Sequence, residues 1–447
     1  MLKELRESTP TVVVDGGDLF WKSRVIRDRD LAQRQLKAQT QAKLLAQQGM
    51  DAMVPGEGDL ALGISEYVAL TQDMPVLAGN LVCGEQTWPL TRVVKAGGQK
   101  VGVIGVTGEI HPDCTLSQDP IDAVKAGVEQ LGSSVDVVLV IGHVGHSFAD
   151  HAGAVPGVDF VLEGESGSAR KNPIRKDEGA WQLGSGKRGK TLGVLTLSFV
   201  KGASGWMDQA SAVGIEERLE QRSDRLEEAR EGLATCSEED RGKYEARVDY
   251  FTQEVAEAEA DLAAARASDG ALSHLFLNKL VELEASIGED DAVLAELEAL
   301  TLAIDSMPAQ VASSPPRIGP YVGAESCRGC HTDAYTQWKT TPHAAAYTSL
   351  EKERKQLDNS CFGCHVTGAF HPEGPQYANE VGHLKNVGCE SCHGPGKEHV
   401  AGPKAGQMTA EPREASCVQC HDGVQDNGDF DLETYWAKVV HTSAEKP

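Results

Sequence analysis

Four times in the last third of the chain, two cysteines separated by two residues are followed directly by a histidine: Cys327-Arg-Gly-Cys330-His331, Cys361-Phe-Gly-Cys364-His365, Cys389-Glu-Ser-Cys392-His393 and Cys417-Val-Gln-Cys420-His421. Thiols at this spacing can add across the two vinyl groups of one haem, and the adjacent imidazole then reaches the iron as its proximal ligand. Paired Cys-x-x-Cys units also bind zinc in ribbons and knuckles. Histidine fills 14 of 447 positions, so finding it directly behind every pair by chance is roughly a one-in-a-million event, which zinc leaves unexplained. The pattern predicts four covalent haems of the c type, with His331, His365, His393 and His421 as proximal iron ligands.

The rest of the chain has to position these groups. A length of 447 residues gives room for two or three domains, each with its own core. No apolar run reaches the roughly 18 residues of a membrane span, and the start, Met1-Leu-Lys-Glu-Leu-Arg6, lacks the apolar region of a secretion signal. Haem c is attached on the exported side of the membrane, so a periplasmic or otherwise exported location is expected, with the signal upstream of Met1. The net charge of -25 argues against nucleic acid as a partner. It is concentrated in residues 214–305, which hold 9 basic against 25 acidic residues. Outside the motifs stand Cys83, Cys114 and Cys236; free or buried thiols and a Cys83–Cys114 disulfide both remain open.

Residues 1–203 alternate strand and helix patterns and read as an α/β domain with a largely buried sheet. Apolar runs occur at 11–14, 52–54, 75–78, 101–106, 135–141 and 160–162, with helices at 30–48, where Leu31, Leu36, Leu44 and Leu45 share a face, and at 121–131. Residues 214–305 form an acidic helical segment. Heptads through Leu219, Leu226 and Leu233 and through Val248, Val255 and Leu262 predict an antiparallel helical hairpin with Ser237 as an N-cap, and further helix over 271–285 and 290–304. The hairpin is a spacer or dimerisation element, or a pack against neighbouring domains. Pro308, Pro315, Pro316 and Pro320 mark 306–320 as a linker into a mainly α-helical haem domain at 321–447.

The order of motifs in the first 200 residues or so resembles the calcineurin-like metallophosphatases, in particular their 5′-nucleotidase branch. Gly17-Asp18-Leu-Phe matches the Gly-Asp block, Asp51-Ala-Met-Val-Pro-Gly56-Glu57-Gly58-Asp59 stands where the family has Gly-Asn-His-Glu, and Val76-Leu-Ala-Gly-Asn80 matches the next strand. Asp136-Val-Val-Leu-Val-Ile-Gly-His143 supplies a lone histidine, and Val158 to Gly167 takes the place of the closing Gly-His-x-His block. The resemblance implies two metal ions and a metal-activated water. Glu57 and Gly58 replace the expected Asn and His, Glu165 and Gly167 replace the closing histidines, and the Asp-x-His strand would precede Met1. Of the ligand types Asp18 and His143 remain, too few for a dinuclear centre. The expectation is a phosphatase-like fold without its chemistry, serving as scaffold or docking surface.

From Tyr321 to about His441 the chain resembles the cytochrome c-554 family. The matching text includes Gln337-Trp338-Lys-x-x-x-His343-Ala, Cys361-Phe-Gly-Cys-His-Val-x-Gly368 and Val387-Gly-Cys389-Glu-Ser-Cys-His-Gly-Pro-Gly396. The resemblance implies a tetrahaem electron carrier in which most irons have two axial histidines and one is open. It makes His343, His399 and His441 the candidate distal ligands, His441 on the segment that returns to the last haem, and leaves His365 as the place to look for a vacancy; His371 and His383 have no family counterpart and are either surface residues or, for one of them, the ligand that closes the haem the family leaves open. The leading reading is an exported electron carrier working with a redox protein, quinol-linked or another cytochrome. The alternatives are a haem enzyme reducing a small nitrogen or sulfur compound at an open iron, and a 5′-nucleotidase with a haem appendage.

Overall fold

The computed structural model describes residues 1–447 apart from 22–25, 146, 165–168, 187–188, 237–240, 268–272, 308–314, 405–406, 411, 413, 422–429 and 442–447. The chain divides into two compact units, Met1–Lys22 with Ala46–Gly288, and Ser23–Leu45 with Glu289–Pro447. The stretch read from sequence as one α/β domain therefore gives up residues 23–45 to the C-terminal unit.

In the first unit, β1 (Val14–Asp15) pairs in parallel with β2 (Ala52–Met53), and Met53 bridges to Val76. The main sheet has six strands. The long apolar runs supply its centre: Gln99–Thr107, Val137–His143, Phe160–Glu163 and Trp181–Leu183 run parallel, flanked by the antiparallel Thr91–Ala96 and Ile174–Arg175. Ile104, Val106, Val138, Val140 and Val161 from this sheet pack with Ala123, Val124 and Leu131 of the helix Pro120–Leu131, as parallel strands covered by helices require. Asp119 caps that helix through the backbone N–H groups of Ile121 and Asp122.

The acidic segment holds two long helices, Gln209–Thr235 and Arg241–Ala267. Arg222 meets Glu254 at 2.8 Å and the ring of Tyr244 covers Gly232, so they pack antiparallel, with Leu226, Ala229 and Ala258 buried. Ser237, the expected cap, lies outside the described residues. The helix expected over 271–285 is instead a strand, His274–Glu282, lying between Thr191–Ser198 and Trp206–Asp208 in a three-stranded sheet. Its three leucines, Lys279 and Glu282 favour helix locally, but Phe276 enters an aromatic cluster with Phe160, Trp181 and Trp206, and that burial overrides propensity.

Cys83 and Cys114 face each other across an antiparallel pair of short strands and form a disulfide spanning 31 residues. Closing a loop of that length constrains the unfolded chain by about 3–4 kcal/mol. Replacing both cysteines by serine is expected to lower the unfolding free energy of the first unit by about that amount, measured by denaturant titration; an unchanged midpoint would contradict it.

Candidate functional site

In the second unit each Cys-x-x-Cys-His motif begins or forms a helical turn. The turn brings residues i, i+3 and i+4 onto one side, which gathers both thiols and the imidazole. Cys361 and Cys364 lie in the helix Asn359–His365, capped by the Asp358 side chain on Ser360 N, and Cys389 and Cys392 in Cys389–His393. In the first and fourth motifs the same turn is closed by His331 N donating to Cys327 O and His421 N to Cys417 O, both at 2.9 Å.

A few buried groups tie the motifs together. The carboxylate of Glu390, inside the third motif, accepts from Val322 N at 3.0 Å, Gly323 N at 2.7 Å and Gly396 N at 2.7 Å, fixing the segment ahead of the first motif and the Gly-Pro-Gly turn. Thr367 Oγ1, just after the second motif, accepts from Gly388 N at 2.9 Å and donates to Asn386 O. The Cys327 thiol is hydrogen-bonded to Cys389, which with burial pushes its pKa well above the ordinary thiol value, so the leading thiols of the first and third motifs are neighbours. Burial, with Cys417 and Cys389 nearby, pushes Cys392 up to about 11.

The histidines fall into pairs. His331 and His399 have ring centroids 6.3 Å apart, His343 and His421 6.3 Å, and His393 and His441 5.7 Å. Two imidazole nitrogens each about 2 Å from one metal ion put the ring centres roughly 6 Å apart, so each pair fits a single iron between its rings. Hydrogen bonds support the fit. His393 Nδ1 donates to Thr409 O at 2.6 Å and His365 Nδ1 to Ala346 O at 2.6 Å, which leaves Nε2 with its lone pair free for a metal. The buried Nδ1 of His399 has no hydrogen-bond partner. Burial, then the facing His421, holds His343 below the usual imidazole pKa and so in the neutral form that ligates.

Among the described residues no histidine ring stands against His365. His371 packs edge-on against Tyr321 at 5.7 Å and accepts from Glu373 N, and the ring of His383 lies over Gly323. The helix carrying His365 instead sits in an apolar cluster of Tyr347, Phe362, Val366, Ala369, Val381 and Leu384.

In the first unit the glycine-rich turn after β1 brings Asp15, Asp18, Asp59 and His143 together. Gly17 and Asp18 take positive φ angles of 96° and 62°. Asp18 lies 3.7 Å from His143 Nε2, while His143 Nδ1 donates to Gly16 O. The Asp18 carboxylate also accepts from Gly58 N at 2.7 Å, and a side-chain carbon on Gly58 would stand 2.9 Å from it. Asp59 accepts from the backbone N–H groups of Asp18, Phe20 and Gly56. Glu165 and Gly167 lie outside the described residues. Among the described residues no group of three or more His, Cys, Asp or Glu side chains is arranged to hold a metal ion.

Two features escaped the sequence reading. Glu390 looked like a motif spacer, because nothing local marks a carboxylate that serves distant backbone donors. The helix Asp28–Gln47 was read by its leucines, yet its buried positions are Asp30, Gln33, Ala38 and Ala42. The stripe Arg29, Gln33, Lys37 at i, i+4 and i+8 was the available signal.

Comparison with known proteins agrees with the motif geometry. Residues 326–394 match the family described as cytochrome c554 and c-prime. The C-terminal region carries a cytochrome c-554-like domain. Cytochrome c-554 of Nitrosomonas europaea is 39% identical over 85 residues, 16% of this chain; the chain spans 36% of that relative's length. Among solved structures the chain is similar to the sulfate thiohydrolase SoxB of Thermus thermophilus (TM-score 0.39, 20% identity, 45% of this chain and 39% of that one). It is also similar to the NAD nucleotidase of Haemophilus influenzae (TM-score 0.38, 15% identity, 44% and 40%). A putative 5′-nucleotidase of Staphylococcus aureus follows (TM-score 0.36, 17% identity, 42% of each chain).

Burial pushes Asp59 and Asp15 up to about 6. A carboxyl group whose folded pKa is raised contributes stability below its unfolded value, near 4, and that contribution is lost as pH rises through about 6. Between pH 4 and pH 7 the parent protein is therefore expected to lose on the order of 2–3 kcal/mol relative to an Asp59→Asn variant. Parallel denaturant titrations check this; a stability difference that stays constant with pH would refute it.

Proposed function

We propose that this chain is an exported multihaem c-type cytochrome that passes electrons through four covalently attached haems. Three irons are held by the pairs His331/His399, His421/His343 and His393/His441, and one by His365 alone. The observation that carries the reading is the spacing of the three pairs, 5.7–6.3 Å between ring centroids in a region where each pair joins one motif histidine to one non-motif histidine. When bound, the haems supply one-electron chemistry, and the protein sets their spacing, axial ligands and burial. The thiols anchor each macrocycle, the Nδ1 hydrogen bonds of His365 and His393 fix the ligating tautomer, and Glu390 holds the first and third motifs in register. The Cys83–Cys114 disulfide supports an oxidising, exported location.

A second reading is favoured by one observation, the absence of a facing histidine at His365 among the described residues. An iron held from one side leaves a position where a small nitrogen or sulfur compound can bind, so that site is also the candidate for ligand binding or reduction. The α/β unit serves as scaffold or docking surface; its carboxylates are engaged by backbone donors around Asp18 and Asp59.

Single replacements of the non-motif histidines test the assignment. His343→Ala, His399→Ala and His441→Ala are each expected to convert one haem from low to high spin in low-temperature spin-resonance spectra, whereas His371→Ala and His383→Ala leave the spectrum unchanged. An unaltered spectrum in any of the first three, or a new high-spin haem in either of the last two, would overturn it.

A further inference from the structure

The helix Asp28–Gln47 comes from the N-terminal part of the sequence, yet residues 23–45 belong to the second unit. Its contacts there converge on the second motif. Gln33 donates to Leu357 O at 2.8 Å and accepts from Asn359 N at 2.9 Å, while Asn359 Nδ2 donates to Arg29 O. Lys37 bridges both oxygens of Asp358, at 2.5 and 2.7 Å, and reaches Ser360 Oγ at 2.9 Å. Asp358 is the N-cap of the helix that bears Cys361, Cys364 and His365. One face of one helix therefore holds the start of the second motif, and Asp358 keeps its charge because Lys37 balances it: despite burial its pKa is lowered.

Arg29, on the same face, is the anomaly. Its side chain is 9% exposed. Nη1 donates to Gln376 Oε1 and, at 3.4 Å, to Ala369 O, four residues beyond His365. Nη2 is buried without a hydrogen-bond partner. Of the nearby carboxylates, Asp30 holds Arg27 through Oδ2 at 2.9 Å and forms a 3.5 Å ion pair with Arg29 Nε through Oδ1 without a hydrogen bond, and Glu380 accepts from Gln376 N at 2.8 Å, so none of them hydrogen-bonds Nη2. A buried guanidinium N–H left without a hydrogen-bond partner is unfavourable unless an acceptor answers it, and the planar fork of arginine suits a carboxylate well. The haem assigned to Cys361 and Cys364 brings two such groups, its propionates.

We propose that this helix is part of the second haem site, with Arg29 donating to a propionate of the haem carried by Cys361 and Cys364 while Gln33 and Lys37 position the helix that bears those thiols. The inference rests on the four-haem reading above. It makes the open site dependent on a segment that lies far from the motifs in sequence, and it makes Arg29 and Lys37 positioning residues that tune one iron of the four.

The test is a spectroscopically monitored redox titration of the full-length holoprotein. The step belonging to the second haem is identified as the one missing from the Cys361→Ser/Cys364→Ser double variant. Removing a cation near that haem stabilises its oxidised, more positive form. Arg29→Gln is expected to shift this one step about tenfold toward oxidation, about 59 mV for a one-electron couple, and Arg29→Lys to recover at least half of the shift. Lys37→Gln, which leaves Asp358 uncompensated, moves the same step in the same direction and carries the test if Arg29→Gln fails to fold. Arg34→Gln, a charge removal elsewhere on the helix, leaves all steps in place. The proposal is overturned if neither Arg29→Gln nor Lys37→Gln moves the second-haem step, or if another step moves as far. A parent protein that attaches no haem at Cys361 and Cys364 refutes the four-haem reading itself, and the proposal with it, and haem counting by mass distinguishes the two failures.

Discussion

Holding two imidazole rings about 6 Å apart is a demand that protein side chains alone do not reward. Neutral imidazoles at that distance attract each other weakly, and burying them costs solvation. His343 shows the cost directly, since burial depresses its pKa. The arrangement becomes favourable when a metal ion lies between the rings, and the second unit is organised around that condition. The apolar clusters built from its described residues reduce to one around Phe362 and Tyr347, beside the second motif. Elsewhere the unit relies on buried hydrogen bonds such as those of Glu390 and Thr367 to set the distances between motifs.

The four Cys-x-x-Cys-His motifs are legible in the sequence because their pattern is local: two thiols and an imidazole share one helical turn. Distal ligands carry no such signature, since each faces a motif up to 78 residues away in the chain, as His343 faces His421. For these, the family resemblance points to His343, His399 and His441; their rings stand 5.7–6.3 Å from motif histidines, and His441 is beside His393 of the third motif rather than beside the last one. The sheet of the first unit was legible for the same local reason, as β-branched runs such as Val137–Ile141 have one way to be buried.

What sequence reasoning lost was set by tertiary context. Residues 274–282 carry helix-favouring types, and the pull of Phe276 into the cluster with Trp181 and Trp206 makes them a strand. The helix at 28–47 was read by its leucines because hydrophobic periodicity is the usual signal. Its working face is polar instead, since it answers the exposed N-terminus and backbone of another helix rather than a greasy sheet. A polar face of that kind is invisible without its partner. The Cys83–Cys114 disulfide was undecidable for a related reason, as only strand register puts those cysteines opposite each other.

The two units differ in how they treat charge. In the first, the buried Asp59 and half-buried Asp15 accept from backbone donors and desolvation raises their pKa values to about 6; in the second, the half-buried Asp358 faces a cation and is kept ionised. The proposed ligand sets give three irons two histidines each and one iron a single histidine. Quantitative spin-resonance integration of the oxidised full-length protein is therefore expected to find three low-spin haems and one high-spin haem per chain; four low-spin haems, or two or more high-spin ones, would refute the ligand sets.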